Sequence, residues 1–270
     1  MIGEALVNGE PVPLVSATLA LSDDGAVRGD GAFETLGVWS GRIFRLDAHL
    51  DRLAASLAAL SLPPPDLGQL RAEAGRLVEG VDGDAAMRVY CTASGTRVLT
   101  MAPQPVRTAP RRLVLQPAPW IRPLGTWGPA GAKTMSYAPN MAASRAAVAA
   151  GGDDALLVSL EGLVLEGPTF AVLWVLAGVL QAPEMALGIV DSVSRRTLLQ
   201  LAHEQGLDCE AVRATPSDLA GASEVLICSS VRDVLAMARV GNVHLPAATP
   251  VRDMLSAALD RIRRAGPARV

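Results

Sequence analysis

The stretch 116–128, QPAPWIRPLGTWG, is rich in proline, glycine and tryptophan and has no hydrophobic period, so neither a helix nor a strand can run through it. On either side lies a segment long enough to enclose a core, and 270 residues exceed the usual size of one domain. The expected organisation is one domain over 1–116, a linker over 117–128 and a second domain over 129–270. Half of the residues are hydrophobic but only 3% are aromatic, so both cores must be built from alanine, valine and leucine, as in proteins that mix helices and strands.

Read in order, ALV, then Asn8-Gly9, then PVPLV predict an opening β-hairpin. In LSDDGAVRGDGAFETLGVWSGRIFRL, glycines interrupt β-branched and aromatic residues, which predicts strands joined by tight loops. This stretch has no GxGxxG, so a dinucleotide fold is not supported. Asp47 is the expected cap of a helix with the apolar stripe Leu50, Leu53, Leu57 and Leu60. His49, Arg52 and Ser56 share the edge beside that stripe, where an arginine serves as a solvated charge or as a partner for a carboxylate.

A second helix should run from Leu67 to Gly80, followed by three strands before the linker. Beyond it the pattern predicts a helix over 140–150, then DALLVSLEG and LVLEGPT as antiparallel strands around Glu161-Gly162. A second hairpin, AVLWVLAGVLQAP, comes next. A helix then opens near Asp191, Ser192 or Ser194 and closes at Gly206. EVLICSS is a buried strand, and a terminal helix starts with Thr249 as cap and Pro250 in its first position.

Several functional classes are excluded. The net charge is -3 with acids and bases interspersed, so nucleic acid finds no basic footprint. Cys91, Cys209 and Cys228 are odd in number and widely spaced, which argues against disulfides and against a metal site. The N-terminus lacks a signal pattern, and the longest apolar run, 170–180, falls far short of the ~20 residues of a membrane helix. A soluble, cytoplasmic protein acting on a small molecule is expected.

Of the 24 basic residues only Lys133 is lysine. Arginine stays protonated, whereas a desolvated lysine amine can lose its proton and form a Schiff base with a carbonyl, so Lys133 is the one position able to do so. The alternative is a surface lysine left by drift toward arginine. Glu166 ends an apolar strand, where a buried carboxylate needs a partner such as a protonated ring nitrogen, unless that strand end faces solvent. Val193-Ser194 opens a helix whose free N–H groups suit a phosphate. Ser229-Ser230 either adds hydroxyls or simply ends a strand. An amine, an acid for a pyridinium and an anion cradle are what pyridoxal 5'-phosphate (PLP) requires.

RGDGAFET with HLDRLAASLAAL, AKTMSYAPNMAASR, DDALLVSLEGLVLEGPT and GIVDSVSRR together resemble the class IV (fold type IV) PLP enzymes, over nearly the whole chain and in order. That group comprises branched-chain and D-amino-acid transaminases and 4-amino-4-deoxychorismate lyase. The resemblance implies an α+β fold, with a small N-terminal domain, a larger domain with a β-barrel-like core, and an active site in the cleft between them. It also implies a homodimer.

By position, the resemblance puts the cofactor lysine on Lys133, a phosphate-binding arginine on Arg52 and the pyridine-nitrogen acid on Glu166. It puts phosphate contacts on Val193, Ser194 and Ser230. In place of the tyrosine usual in D-amino-acid transaminases stands Phe33, and no Arg-x-His follows Tyr90. Thr35 stands where the lyases resemble this chain in carrying threonine, and its hydroxyl could relay a proton, unless it is only a β-branched strand residue. Arg97 is the first candidate for a substrate carboxylate. The resulting expectation is aminodeoxychorismate lyase, with a class IV aminotransferase as the alternative.

Overall fold

A computed structural model describes residues 3–104, 111–118 and 130–265; most of the expected linker, 119–128, lies outside them. The chain divides into two compact units. Among the described residues the first takes 3–104 and 131–137, and the second takes 111–118, 130 and 138–265.

The first unit runs β1 (Glu4–Val7), β2 (Glu10–Pro13), α1 (Asp24–Arg28), β3 (Gly31–Trp39) and β4 (Arg42–Ile43). It continues with α2 (Leu46–Ala59), α3 (Leu67–Val78), β5 (Ala85–Thr92) and β6 (Arg97–Pro103). These strands form one antiparallel sheet in the order β2-β1-β6-β5-β3-β4. The expected N-terminal hairpin is present: Asn8 and Gly9 both take positive φ, 51° and 90°, the backbone a tight two-residue hairpin turn needs.

Alternation along β3 sets the two faces of the sheet. Ala32, Leu36 and Val38 point into a core shared with Leu50, Leu53 and Leu57 of α2 and Leu70 and Leu77 of α3. Each fully buried leucine of the α2 stripe contributes about 1.5–3 kcal/mol. Phe33 and Thr35 point to the other face. The start of α2 differs from expectation: Arg45, left-handed at φ 57°, precedes the helix, and Asp47 lies inside its first turn, bound to Arg71 at 2.6 Å. The chain enters α2 through a turn of β4, which sets the first helical residue one position before Asp47.

The second unit runs β7 (Arg112–Pro117), α4 (Ala138–Ala149), β8 (Asp154–Val158), β9 (Ala171–Leu176), β10 (Val179–Pro183) and α5 (Val193–Glu204). Then follow β11 (Cys209–Val212), β12 (Glu224–Ser229), β13 (Arg232–Ala236), β14 (Arg239–Val240), β15 (Val243–His244) and α6 (Pro250–Ala265). A five-stranded sheet, β11-β10-β9-β12-β13, and a four-stranded sheet, β15-β14-β7-β8, enclose one core. Leu113 and Leu156 enter it from one sheet and Trp174, Val225 and Ile227 from the other. At the start of α6 the buried Glu224 carboxylate accepts hydrogen bonds from the N–H groups of Val251 and Arg252, at 2.7 and 2.9 Å.

Two features depart from the boundaries 1–116 and 129–270. β7 pairs in parallel with β8 and so packs in the second unit. The segment around Lys133 belongs to the first, because Thr134 bridges to Ala32, Phe33 N–H donates to Lys133 O at 3.1 Å, and Met135 N–H donates to Gly31 O at 2.8 Å. LVLEGPT also departs from a regular strand. It keeps an antiparallel run against β8, with Leu157 N–H on Glu166 O at 2.8 Å, but turns back at Gly167, whose N–H reaches Phe170 O at 2.9 Å.

Candidate active site

In the first unit the peptide of Lys133 is fixed twice, by β3 as above and by its N–H donating to Ser56 Oγ at 3.1 Å. Its side chain lies on the face of β3 that carries Phe33. Lys133 Nζ sits 4.3 Å from the Phe33 ring centroid and 3.4 Å from Tyr137 Oη. Tyr137 meets Phe33 edge to face at 5.1 Å, and Tyr90 of β5 stacks on Phe33 at 5.9 Å. Three rings thus wall one side of the amine, which restricts its rotamers and its exposure to water. Thr35 lies two residues along β3 on the same face, opposite Arg88 of β5.

The other face of β3 carries Glu34, which is fully buried. Arg52 grips it with Nε on Oε1 at 2.6 Å and Nη2 on Oε2 at 2.7 Å, and His49 Nδ1 lies 2.8 Å from Oε2. Burial alone pushes this carboxyl up, but the Arg52 charge and hydrogen bonds, followed by those of His49, outweigh burial and hold it down at about 2. Burial in turn pushes the His49 pKa down against the opposing pull of Glu34. Because an ionised carboxylate only accepts, the Nδ1 of His49 carries the hydrogen shared with Glu34. Arg52 therefore has the carboxylate partner that its place on α2 allowed.

In the second unit Glu166 is buried, with Oε2 accepting from Val190 N–H at 3.2 Å, three residues ahead of α5. Ser192 caps α5, its Oγ accepting from Arg195 N–H at 3.2 Å. The N–H groups of Val193 and Ser194 open the helix without a protein acceptor among the described residues. Ser230 follows β12 in a half-buried turn. The cysteines offer no competing nucleophile of note: burial pushes Cys91 up to about 11 and Cys228 up to about 12, so both stay protonated thiols.

Residues 31–240 match the family described as amino-transferase class IV. The chain belongs to that family. It is 30% identical, over 96% of each chain, to the bifunctional aminodeoxychorismate lyase / D-amino acid transaminase of Mycobacterium tuberculosis. It is 26% identical over 257 residues, 88% of this chain and 87% of the relative, to the aminodeoxychorismate lyase of Bacillus subtilis. Among solved structures, a hypothetical aminotransferase from Mycobacterium tuberculosis in its PLP-bound form superposes with a TM-score of 0.88 at 28% identity. That match covers 97% of this chain and 99% of the other. Class IV members are PLP-dependent enzymes, and the mixed α/β fold with three sheets is theirs.

Against that family, the site residues divide by unit. Lys133, Phe33, Thr35 and Arg52 lie in the first; Glu166, Val193, Ser194 and Ser230 lie in the second. Each half fits PLP on its own terms: an amine held against aromatic rings in one, and in the other a buried carboxylate beside a helix whose first N–H groups lack acceptors. Arg97 is placed differently from a substrate grip. Its Nε and Nη2 bind the buried Glu73 of α3 at 2.7 to 3.0 Å, and its register partner on β5 is Cys91, on the helix-covered face.

Arg88 was not anticipated. It shares the face of Phe33, Thr35 and Tyr90, and its guanidinium makes no hydrogen bond or ion pair among the described residues. The signal was in AAMRVYCT, where Arg88 and Tyr90 alternate with the buried Met87, Val89 and Cys91.

Proposed function

We propose that this enzyme is a PLP-dependent aminodeoxychorismate lyase, releasing pyruvate from 4-amino-4-deoxychorismate to leave 4-aminobenzoate. The observation that carries it is the Lys133 amine, 4.3 Å from the Phe33 centroid, with the Thr35 hydroxyl on the same sheet face. When bound, PLP supplies an electron sink for the bond broken at the amine-bearing carbon.

Lys133 would hold the cofactor through Nζ, and the same amine, when free, would serve as base and as acid. Tyr137 Oη, 3.4 Å from Nζ, holds the amine in place. Glu166, pinned by Val190 N–H, would be the carboxyl partner for the cofactor's ring nitrogen. In the second unit Val193 N–H, Ser194 and Ser230 would offer contacts to the cofactor phosphate, and in the first unit Arg52, whose guanidinium Glu34 holds from the side, would offer a charged one. Thr35 relays a proton toward the departing pyruvyl group. Relatives named as lyases support this reading.

One observation favours a second reading. Arg88 is unpaired among the described residues on the Thr35 face, and a transaminase must grip an amino-acid carboxylate in both half-reactions. A D-amino-acid or branched-chain aminotransferase would use it in place of the absent Arg-x-His.

The test is holoenzyme with aminodeoxychorismate and no amino acceptor. 4-Aminobenzoate and pyruvate are expected in equal amounts, with a rate about 10²-fold lower in Thr35→Val, which keeps the shape and deletes the hydroxyl. Conversion of the cofactor to its pyridoxamine form by D-alanine or L-leucine, with no 4-aminobenzoate, would establish the second reading instead.

A further inference from the structure

The first turn of a helix carries partial positive charge and favours acidic side chains. In α5 that turn holds Arg195 and Arg196 and no acid. Arg196 is exposed and pairs with Asp191 at 3.1 Å. Arg195 is 5% exposed. Its Nη2 donates to Pro183 O at 2.8 Å, its Nη1 lies 3.6 Å from Met185 Sδ, and its Nε is buried without a partner.

Among the described residues no carboxylate is within ion-pair distance of Arg195. Asp191 acts on it only from further away and is engaged by Arg196; Cys228 on β12 is a neutral thiol. A guanidinium stays charged even when buried, so a fixed cation sits in the first turn of a helix that is already positive. The N–H groups of Val193 and Ser194, in the same turn, have no protein acceptor among the described residues. Charge and donors are unfavourable as they stand, and one dianion at the helix start would satisfy both.

We propose that Arg195 is a positioning residue for the cofactor phosphate: its buried charge, held by Pro183 O without a carboxylate partner, is the fixed counter-charge that lets the α5 N-terminus hold a dianion. This rests on the reading that α5 takes the phosphate of PLP. The arginine acts through the helix and its field, without touching the cofactor. Water-excluded surroundings make that field effective, because a buried charge is screened little by salt.

The test compares the affinities of the apo protein for PLP and for pyridoxal, which lacks the phosphate, by the absorbance of the bound chromophore. Arg195→Met keeps the stem without charge, Arg195→Gln keeps a donor for Pro183 O without charge, and Arg195→Lys keeps the charge. The preference for PLP over pyridoxal should fall about tenfold or more in the Met and Gln variants and recover in the Lys variant. A merely structural arginine would weaken both ligands alike, and an unchanged preference in either neutral variant would overturn the proposal.

Should both neutral variants fail to fold, the phosphorus NMR resonance of wild-type holoenzyme decides. The phosphate should stay dianionic down to about pH 5, and titration near the ordinary value of about 6 would overturn the proposal. Wild-type protein that binds pyridoxal as tightly as PLP would instead defeat the assignment of α5 as the phosphate site, before any variant is compared.

Discussion

Glu34 joins the two faces of β3 to one another: its neighbours Phe33 and Thr35 face the amine of Lys133, while its own carboxylate fastens Arg52 and His49 beneath the sheet. Removing one partner of a buried pair leaves an uncompensated charge, so Glu34→Gln should destabilise the protein by about 3–5 kcal/mol at pH 7. The pH dependence has a definite sign. Glu34 has a folded pKa held down at about 2 from the ordinary 4.5, so its stabilisation is complete above about 4.5 and is lost as pH falls toward 2. Denaturant melts from pH 7 to pH 2 should show wild type losing its advantage over Glu34→Gln within that window; parallel curves would mean that the carboxylate is not specially held.

At this same scale the sequence points most sharply where one residue type has one use, as with the sole lysine, whose role cofactor trapping tests. Arg52, His49 and Ser56 were legible as one edge of α2, but their partners Glu34 and Lys133 N–H come from distant segments, and spacing along a helix carries no information about what the fold sets opposite. Arg97 illustrates the same limit, since its partner Glu73 lies on a helix 24 residues earlier.

Among the elements, the hairpin at Asn8-Gly9, the leucine stripe of α2 and the start of α5 follow from local rules, while the choice of Ser192 over Asp191 and Ser194 as its cap came from the structure. The turn after Glu166 did not follow from alternation, because its shape is set by Phe170. A Cβ on Gly167 would stand 2.1 Å from the Phe170 ring, which is itself buried in the core of the second unit beneath the Arg232 guanidinium. Gly167→Ala should therefore force the ring or the Glu166 backbone aside, at about 1–3 kcal/mol in thermal stability. It should also weaken cofactor binding through displacement of Glu166. A variant with unchanged melting temperature and affinity would show that the turn has room the structure does not contain.

For the molecule as a whole, the class follows from one chain of observations: a single lysine, a strand that presents it to aromatic rings, a buried acid and a helix start without acceptors, in a chain matching the class IV family over 31–240. None of the described helices is long and apolar enough to cross a membrane, and no metal-binding cluster occurs among the described residues. The central claim is that Lys133 carries the cofactor. Borohydride reduction of the holoenzyme followed by peptide mass spectrometry tests it most directly. The phosphopyridoxyl group should be recovered on the peptide containing Lys133, with the visible chromophore absent from Lys133→Ala. A modified residue elsewhere, or a chromophore that survives Lys133→Ala unchanged, would contradict the account.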